Sequence, residues 1–196
     1  MSSTVRFHFD PACPWAWQTS KWMREAALVR DLDVEWRFFS LKMVNSEDPE
    51  KADISPALRT LALVSREFDN ERAGRLYEAL GIRMHDRDEG RSLEVVRAAV
   101  QDVDLDASIV DRALGDEQSA ATVRADFHRA VDEVGCFGVP TIVLPSGRGI
   151  FGPVVATAPT GEDAGELWDH FSWFIEQADF FEIKRERDRE PGVQSP

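Results

Sequence analysis

The alternation of apolar and polar side chains predicts strands and helices in the first fifth of the chain. Residues 5–9 alternate as Val-Arg-Phe-His-Phe, which is typical of a strand with one buried face, and the turn pair Asp10-Pro11 ends it. Apolar positions then recur at helical spacing, so we predict a helix over about 14–30 with proline as its first residue. The aromatic and β-branched run at 34–39 predicts a second strand. A strand–helix–strand unit of this length is normally parallel and right-handed.

The middle of the chain shows helical patterns and no convincing strand. Its predicted helices cover about 56–80, 92–102, 107–114 and 118–134. After Gly135 the pattern returns to two short strands and one helix, at about 141–144, 149–151 and 162–177.

These elements predict an α/β domain that is interrupted by helices. We expect a frame built from residues 1–52 and 135–183 and an all-helical insertion, or lid, over 53–134. The charged run 184–196 contains two prolines and is predicted to be a frayed C-terminal tail.

Composition and charge narrow the class of protein. The 196 residues are 43% hydrophobic, which suffices for a core without disulfide bonds. The 23 Lys and Arg against 36 Asp and Glu give a net charge of −13, which repels phosphate backbones and anionic lipids, so we expect neither a nucleic acid nor a membrane as partner. The N-terminal residues show no secretory signal, and no apolar run reaches the roughly 20 residues of a membrane span. We therefore expect a cytoplasmic protein with two reduced cysteines.

Cys13 is the first candidate for chemistry, because it lies between a predicted strand end and a predicted helix start. The N–H groups of a first helical turn favour a thiolate, so we expect a lowered pKa at Cys13. The segment Cys13-Pro14-Trp15-Ala16 has the form of the redox motif Cys-X-X-Cys, with Ala16 in place of the second cysteine. That second thiol normally expels a bound partner by exchange, which Ala16 cannot do. The structural alternative for Cys13 is a small buried hydrophobic residue.

Val139-Pro140 and Cys136 are the next candidates. Proline at the start of a strand is ordinary, and only about 5–6% of X-Pro bonds are cis. A cis bond at Val139-Pro140 becomes the favoured interpretation only in combination with the Cys13 segment far upstream. Thr141 then lies beside the site. Cys136 is either a substitute resolving thiol or, as we favour, a packed residue at a helix end, since bridging to Cys13 requires Cα atoms within about 7 Å.

Aromatic and polar residues supply further candidates. Trp15, Trp17 and Trp22 place flat surfaces on and beside the thiol for stacking an aromatic substrate, although core packing is the default for Trp22. His85 follows a helix in a polar loop and either steadies a thiolate or is simply solvated. Asn45 either lines the pocket or only forms a turn.

The order of these features resembles the DsbA type of the thioredoxin-like fold: strand, Cys-Pro-Trp-X, helix, strand, helical insertion, Gly-Val-Pro-Thr, two strands and helix. More narrowly, from about residue 5 to Arg187, the chain resembles the actinobacterial mycothiol-dependent nitroreductases. The motifs behind that resemblance are Asp10-Pro-Ala-Cys-Pro-Trp-Ala-Trp17 with Thr19-Ser20 and Trp22, Ser40-Leu-Lys-Met-Val-Asn45, Gly81-Ile-Arg-Met-His85, Gly138-Val-Pro-Thr-Ile142, Phe151-Gly-Pro153 and Gly161-Glu-Asp-Ala-Gly-Glu-Leu-Trp168.

The resemblance implies a thiol-dependent reductase with Cys13 as its nucleophile and a low-molecular-weight thiol, mycothiol or glutathione, as cosubstrate. Cys13 would attack an electrophilic or oxidised substrate, such as a nitro-aromatic compound or a disulfide, and the small thiol would resolve the product. The family carries cysteine where this chain has Ala16, which puts dithiol turnover in doubt. The residues implied to shape the pocket are Pro14, Trp15, Ala16, Asn45, His85, Val139, Pro140 and Thr141.

Two other functions stay open. One is an enzyme similar to the kappa-class glutathione transferases and 2-hydroxychromene-2-carboxylate isomerase, in which the bound small thiol is the nucleophile. The other is a non-catalytic small-thiol-binding module that lost turnover with Ala16. The sequence has no metal-ligand spacing and no Gly-rich dinucleotide loop, so we predict no metal and no tightly bound nucleotide. A homodimer formed through an exposed apolar edge is neither indicated nor excluded.

Overall fold

A computed structural model describes residues 3–192 of the chain and contains one four-stranded sheet. Its strands are β1 (Ser3–Phe9), β2 (Leu32–Phe38), β3 (Thr141–Val143) and β4 (Gly149–Phe151), in the spatial order β2-β1-β3-β4. β1 and β2 are parallel, whereas β3 is antiparallel to β1 and β4 is antiparallel to β3. This topology confirms the predicted thioredoxin-like α/β class.

Eight α-helices accompany the sheet in the described part of the chain. They are α1 (Pro14–Arg30), α2 (Leu41–Val44), α3 (Pro56–Glu67), α4 (Asn70–Gly81), α5 (Leu93–Asp102), α6 (Ser108–Gly115), α7 (Glu117–Val134) and α8 (Gly161–Glu176). A 3₁₀ turn spans Pro49–Lys51, and α4 continues into a π-helical turn over Ile82–Asp86. No helix within residues 3–192 is long and apolar enough to cross a membrane.

The single helix predicted at about 56–80 is wrong, because the chain breaks between α3 and α4. Phe68 leaves helical geometry with φ −119° and ψ −94°. Asp69 then caps α4, and its carboxylate accepts a hydrogen bond from the Arg72 N–H at 2.6 Å. Asp is among the residues preferred at such a cap, since its oxygen satisfies an N–H that has no partner inside the helix.

The core that supports the candidate site is aromatic. Phe9, at the end of β1, stacks on Tyr77 of α4 with ring centroids 3.8 Å apart. Trp36 of β2 packs edge-on against both rings, at 6.1 and 5.6 Å. Such pairs add to the gain from burying the rings, so the end of β1 that leads into the Cys13 turn rests on a well-packed layer.

The C-terminal segment, residues 177–192, has no regular secondary structure but returns to the body of the protein. The Gly192 N–H donates to the Ala156 carbonyl at 2.8 Å, and Arg187 reaches Trp15 near the start of α1. The sequence predicts a frayed tail from residue 184, and within 184–192 the contacts of Arg187 and Gly192 are the two that hold this exposed segment to the rest of the protein. The rest of the predicted tail, residues 193–196, lies outside the described residues.

Candidate active site

Cys13 is the N-cap residue of α1, at the turn that follows β1. The chain enters this turn through a hydrogen bond from the Cys13 N–H to the Asp10 carbonyl at 2.9 Å. Pro14 begins the helix, where its missing N–H costs nothing, and the Cys13 Sγ accepts from the Ala16 N–H at 3.4 Å. The sulfur thus takes the place of the oxygen that a serine or aspartate would supply at an N-cap.

The turn that contains cis-Pro140 lies directly against this sulfur. The Val139–Pro140 peptide bond is cis, as predicted, and the Cys13 Sγ lies 3.7 Å from the Val139 carbonyl oxygen. The Pro140 carbonyl accepts from the Gly152 N–H at 2.8 Å, which fixes the loop against the residue after β4. Two segments 126 residues apart in sequence therefore meet at one sulfur atom.

Burial decides the ionisation of Cys13, and it corrects the sequence-based expectation. Cys13 is 8% exposed, and this burial raises the pKa of the Cys13 thiol, with the nearby Asp10 carboxylate adding to the rise. The N–H groups of Ala16 and Trp15 and the charge of Arg187 act in the opposite direction but do not prevail. The predicted lowered pKa is therefore wrong, because desolvation of a thiolate outweighs the field of one helix start.

The three tryptophans of this region separate into two kinds. Trp15 is partly buried, and the guanidinium carbon of Arg187 lies 4.8 Å from its ring centroid. Trp17 is instead buried, with its Nε1 donating to Asp86 at 3.0 Å, so its predicted role as a surface for substrate is wrong. Trp22 is a buried core residue, which is the interpretation that the sequence favours.

His85 and Asn45 differ in their relation to the site. The His85 Nε2 lies 2.8 Å from the Pro11 carbonyl, so the ring packs on the Cys13 turn from the π-helical turn, and burial lowers the pKa of His85. A neutral imidazole is the result at neutral pH. Asn45 is exposed and donates to the Leu41 carbonyl at 2.7 Å, which supports its interpretation as a turn former.

Cys136 is a packed residue beyond the end of α7, the interpretation that the sequence favours. Gly135 adopts φ 68° there, a conformation that suits glycine, and ends the helix. The Cys136 thiol donates to the Gly138 carbonyl at 3.1 Å, and the Thr141 hydroxyl donates to the same carbonyl at 2.8 Å. Both cysteines are free and buried. Thr141 therefore braces the cis-proline loop from within.

Asp10 is a functional candidate that the sequence pattern predicts only as a turn residue and as the first residue of the motif around Cys13. Its buried carboxylate accepts from the Ala12 N–H at 2.9 Å and from the Leu41 N–H at 2.8 Å. It thereby ties the Cys13 turn to the start of α2, and burial raises the pKa of Asp10. The available signal was an acidic residue three positions before the cysteine, at the end of a predicted strand.

Comparison with known proteins assigns the family. The family model of the mycothiol-dependent nitroreductase Rv2466c, which defines the Rv2466c-like proteins, matches residues 12–185, and so includes Cys13 and Pro140. This chain belongs to the Rv2466c-like family. A curated relative, the uncharacterized protein Rv2286c of Mycobacterium tuberculosis, is 35% identical over 190 residues, which cover 93% of this chain and 82% of the relative.

Solved structures show that the Rv2466c-like chain has the DsbA type of fold. The cytosolic disulfide reductase DsbM of Pseudomonas aeruginosa, solved with GSH, matches with a TM-score of 0.62 and 14% identity over 87% of this chain and 99% of its own. A 2-hydroxychromene-2-carboxylate isomerase matches with a TM-score of 0.64 and 15% identity over 87% of this chain and 93% of its own. Because a reductase and an isomerase share this fold, the fold alone does not distinguish between these two activities.

Proposed function

We propose that this protein is a thiol-dependent oxidoreductase in which Cys13 is the nucleophile and a small thiol completes turnover. The observation that carries the proposal is the meeting of the Cys13 sulfur, the N-terminus of α1 and the Val139 carbonyl of the cis-proline loop. Membership of a mycothiol-dependent family supports mycothiol as that thiol, and the glutathione-bound fold relative makes glutathione the second choice.

The reaction uses two equivalents of the small thiol for each disulfide. The Cys13 thiolate attacks one sulfur of the substrate disulfide, forms a mixed disulfide and releases the other half as a thiolate, which takes up a proton. A first small thiol attacks the substrate sulfur of this mixed disulfide, so Cys13 leaves as a thiolate and the second half of the substrate departs as a mixed disulfide with the small thiol. A second small thiol then attacks the small-thiol sulfur of that mixed disulfide, which releases the second half of the substrate as a thiol and forms the oxidised small-thiol dimer. The substrate is thereby reduced, the small thiol is oxidised, and Cys13 is regenerated.

Intact-mass measurement tests the proposal directly. After incubation with oxidised mycothiol or oxidised glutathione, we expect one adduct per chain, and the adduct should persist in Cys136→Ser and be absent from Cys13→Ser. The absence of any adduct on a folded protein would support the non-catalytic binding module instead.

Ala16→Cys is the companion test. The Ala16 backbone N–H lies 3.4 Å from the Cys13 Sγ, and the Ala16 side chain is fully buried beside it. A cysteine introduced there is expected to form a disulfide with Cys13 on oxidation, which would be seen as the loss of two hydrogen atoms and of both alkylation sites. A variant that stays a dithiol would show that the pocket no longer accommodates the exchange chemistry.

A transferase or isomerase is the second candidate function, and the burial of Cys13 favours it. A thiol with a raised pKa is a weak nucleophile at neutral pH, whereas a bound small thiol could act in its place. Cys13→Ser separates the candidates, because it should abolish a reductase but leave a transferase partly active.

Two predictions from the sequence remain part of this proposal. We propose that the frame of residues 1–52 and 135–183 provides the nucleophile and that the helical insertion over 53–134 covers it. We also propose a cytoplasmic location, where the two cysteines would stay reduced. Limited proteolysis and cell fractionation test these two points separately.

A further inference from the structure

Two guanidinium groups flank the Cys13 turn, and neither forms an ion pair with a carboxylate in the part of the chain that the structure describes. Arg91, just before α5, donates from Nη2 to the Ala12 carbonyl at 3.0 Å. Arg187, in the C-terminal segment, holds its guanidinium carbon 4.8 Å from the Trp15 ring centroid. Ala12 precedes Cys13 and Trp15 lies two residues after it, so two distant parts of the protein bring positive charge to the turn that holds the sulfur.

These charges stand out because the acidic groups around the turn are already engaged. The Asp10 carboxylate is buried and accepts two backbone N–H groups, and burial raises its pKa. Asp86 accepts from the Lys21 ammonium at 2.8 Å, and Asp188, next to Arg187, binds Arg189 at 2.9 Å. In a chain with a net charge of −13, two arginines that form no ion pair within residues 3–192 therefore lie at the turn that holds the nucleophile, although the charge of Arg91 also acts on the buried Asp10 carboxylate.

Both arginines keep donors for a ligand. Arg91 uses Nη2 on a backbone carbonyl, and the guanidinium carbon of Arg187 lies over the Trp15 ring, with no hydrogen bond from this guanidinium to any residue within 3–192. A guanidinium is a planar fork that matches the two oxygens of a carboxylate. The charge of Arg187 already acts at Cys13, where it lowers the pKa of the thiol.

We propose that Arg91 and Arg187 form an anion-binding rim and that the substrate which reaches Cys13 is a disulfide carrying carboxylate groups. This inference rests on the proposed function and specifies its substrate class. The Cys13 thiolate attacks one sulfur of the bound disulfide, a Cys13–substrate disulfide forms, and the sulfur–sulfur bond of the substrate breaks. The departing half leaves as a thiolate that takes up a proton, and the carboxylates are unchanged.

Iodoacetate and iodoacetamide provide a matched pair of probes, because they transfer nearly the same group to a thiolate and differ by one negative charge. The background is Cys136→Ser, so that Cys13 alone reacts, and 2-mercaptoethanol gives the intrinsic ratio of the two rates. We expect this protein to favour iodoacetate by more than that intrinsic ratio. Opposite unit charges about 7 Å apart in water attract with an energy near RT, so each arginine should contribute roughly a threefold preference.

The variants test the two arginines one at a time and together. Arg91→Ala and Arg187→Ala should each lower the iodoacetate-to-iodoacetamide ratio about threefold, and the double variant about tenfold, with smaller effects at high salt. Arg187→Lys should retain most of the ratio, and Arg185→Ala, an exposed arginine on the same segment, should leave it unchanged. The iodoacetamide rate reports any general disturbance of the turn, since that reagent is neutral.

Disulfide probes then test the substrate class itself. Mixed-disulfide formation should be faster with 3,3′-dithiodipropionate, a dianion, than with the neutral bis(2-hydroxyethyl) disulfide, and the difference should disappear in the double variant. An iodoacetate preference that matches 2-mercaptoethanol, or one that survives the double substitution, would overturn the anion-binding rim. If neither iodo-reagent modifies Cys13 in the folded protein, the proposed function itself fails.

Discussion

The pH dependence of Cys13 alkylation tests the central physical claim about the site, that burial outweighs the helix start. An ordinary thiol with a pKa of about 8.5 is about 3% ionised at pH 7, and Cys13 must be less ionised than this because burial raises its pKa. Only the thiolate reacts with iodoacetamide, so the rate should rise about tenfold for each pH unit between pH 7 and 8.5 and should level off above that range.

The assay is intact-mass detection of the carbamidomethyl adduct in Cys136→Ser, from pH 6.5 to 10.5, with Cys13→Ser as the matched background for Cys136. The Cys136 serine replacement keeps a donor for the Gly138 carbonyl, so the cis-proline loop should be preserved. A rate that levels off below pH 8 would refute the reasoning, because the N–H groups of Ala16 and Trp15 would then outweigh desolvation.

Three further perturbations have expected outcomes that calorimetry or chemical unfolding can measure. Gly81→Ala places a Cβ against the buried Trp17 ring and should lower the free energy of unfolding by roughly 1–3 kcal/mol. The added Cβ of Gly115→Ala meets open space, so this control should change the free energy of unfolding by less than about 0.5 kcal/mol. Equal effects would contradict this packing. Asp10→Ala leaves two backbone N–H groups without their acceptor and should lower the free energy of unfolding by roughly 2–5 kcal/mol. An unchanged free energy of unfolding would show that water replaces the carboxylate. Burial lowers the pKa of His8 to about 3, so as the pH falls below about 6.5 the unfolded chain binds a proton at His8 before the folded protein does, and the free energy of unfolding should fall by about 3 kcal/mol by pH 4. His8→Phe should remove this dependence of stability on pH. A dependence that persists in the variant would assign the acid sensitivity to other groups.

Much of the fold can be predicted from local signals. The bounds of α1 follow from Pro14 at its first position and the helical spacing of its apolar residues, and its left-handed end at Asp31 closes it. Gly135 marks the end of α7 in the same way. The break at Asp69 is missed because the apolar spacing of α3 and α4 runs on across it, although aspartate is a good helix cap.

The candidate site is less predictable, because its decisive quantities are set by residues far apart in sequence. The first turn of α1 is visible in the sequence, and so is the cis-proline segment through its combination with the Cys13 segment far upstream. The extent of Cys13 desolvation cannot be predicted from the neighbouring sequence, because it depends on segments that meet only in the fold. This desolvation sets the direction of the Cys13 pKa shift. The position of Arg187 over Trp15 is equally hidden, since a charged run with two prolines carries no local signal for docking.

The loss of the second cysteine and the burial of the first have linked consequences for how the proposed turnover would end. Cys13 is the leaving group whenever a small thiol attacks the substrate half of a mixed disulfide. The N–H groups of Ala16 and Trp15 favour the thiolate that leaves, although burial has the larger, opposite effect on its pKa. The Cys13 sulfur itself is shielded, since the residue is only 8% exposed, so an incoming thiol meets the outer sulfur first. The burial that slows the attack of Cys13 on the substrate therefore also directs the small thiol to the substrate sulfur of the mixed disulfide. A monothiol site of this form would release its substrate as a mixed disulfide with the small thiol.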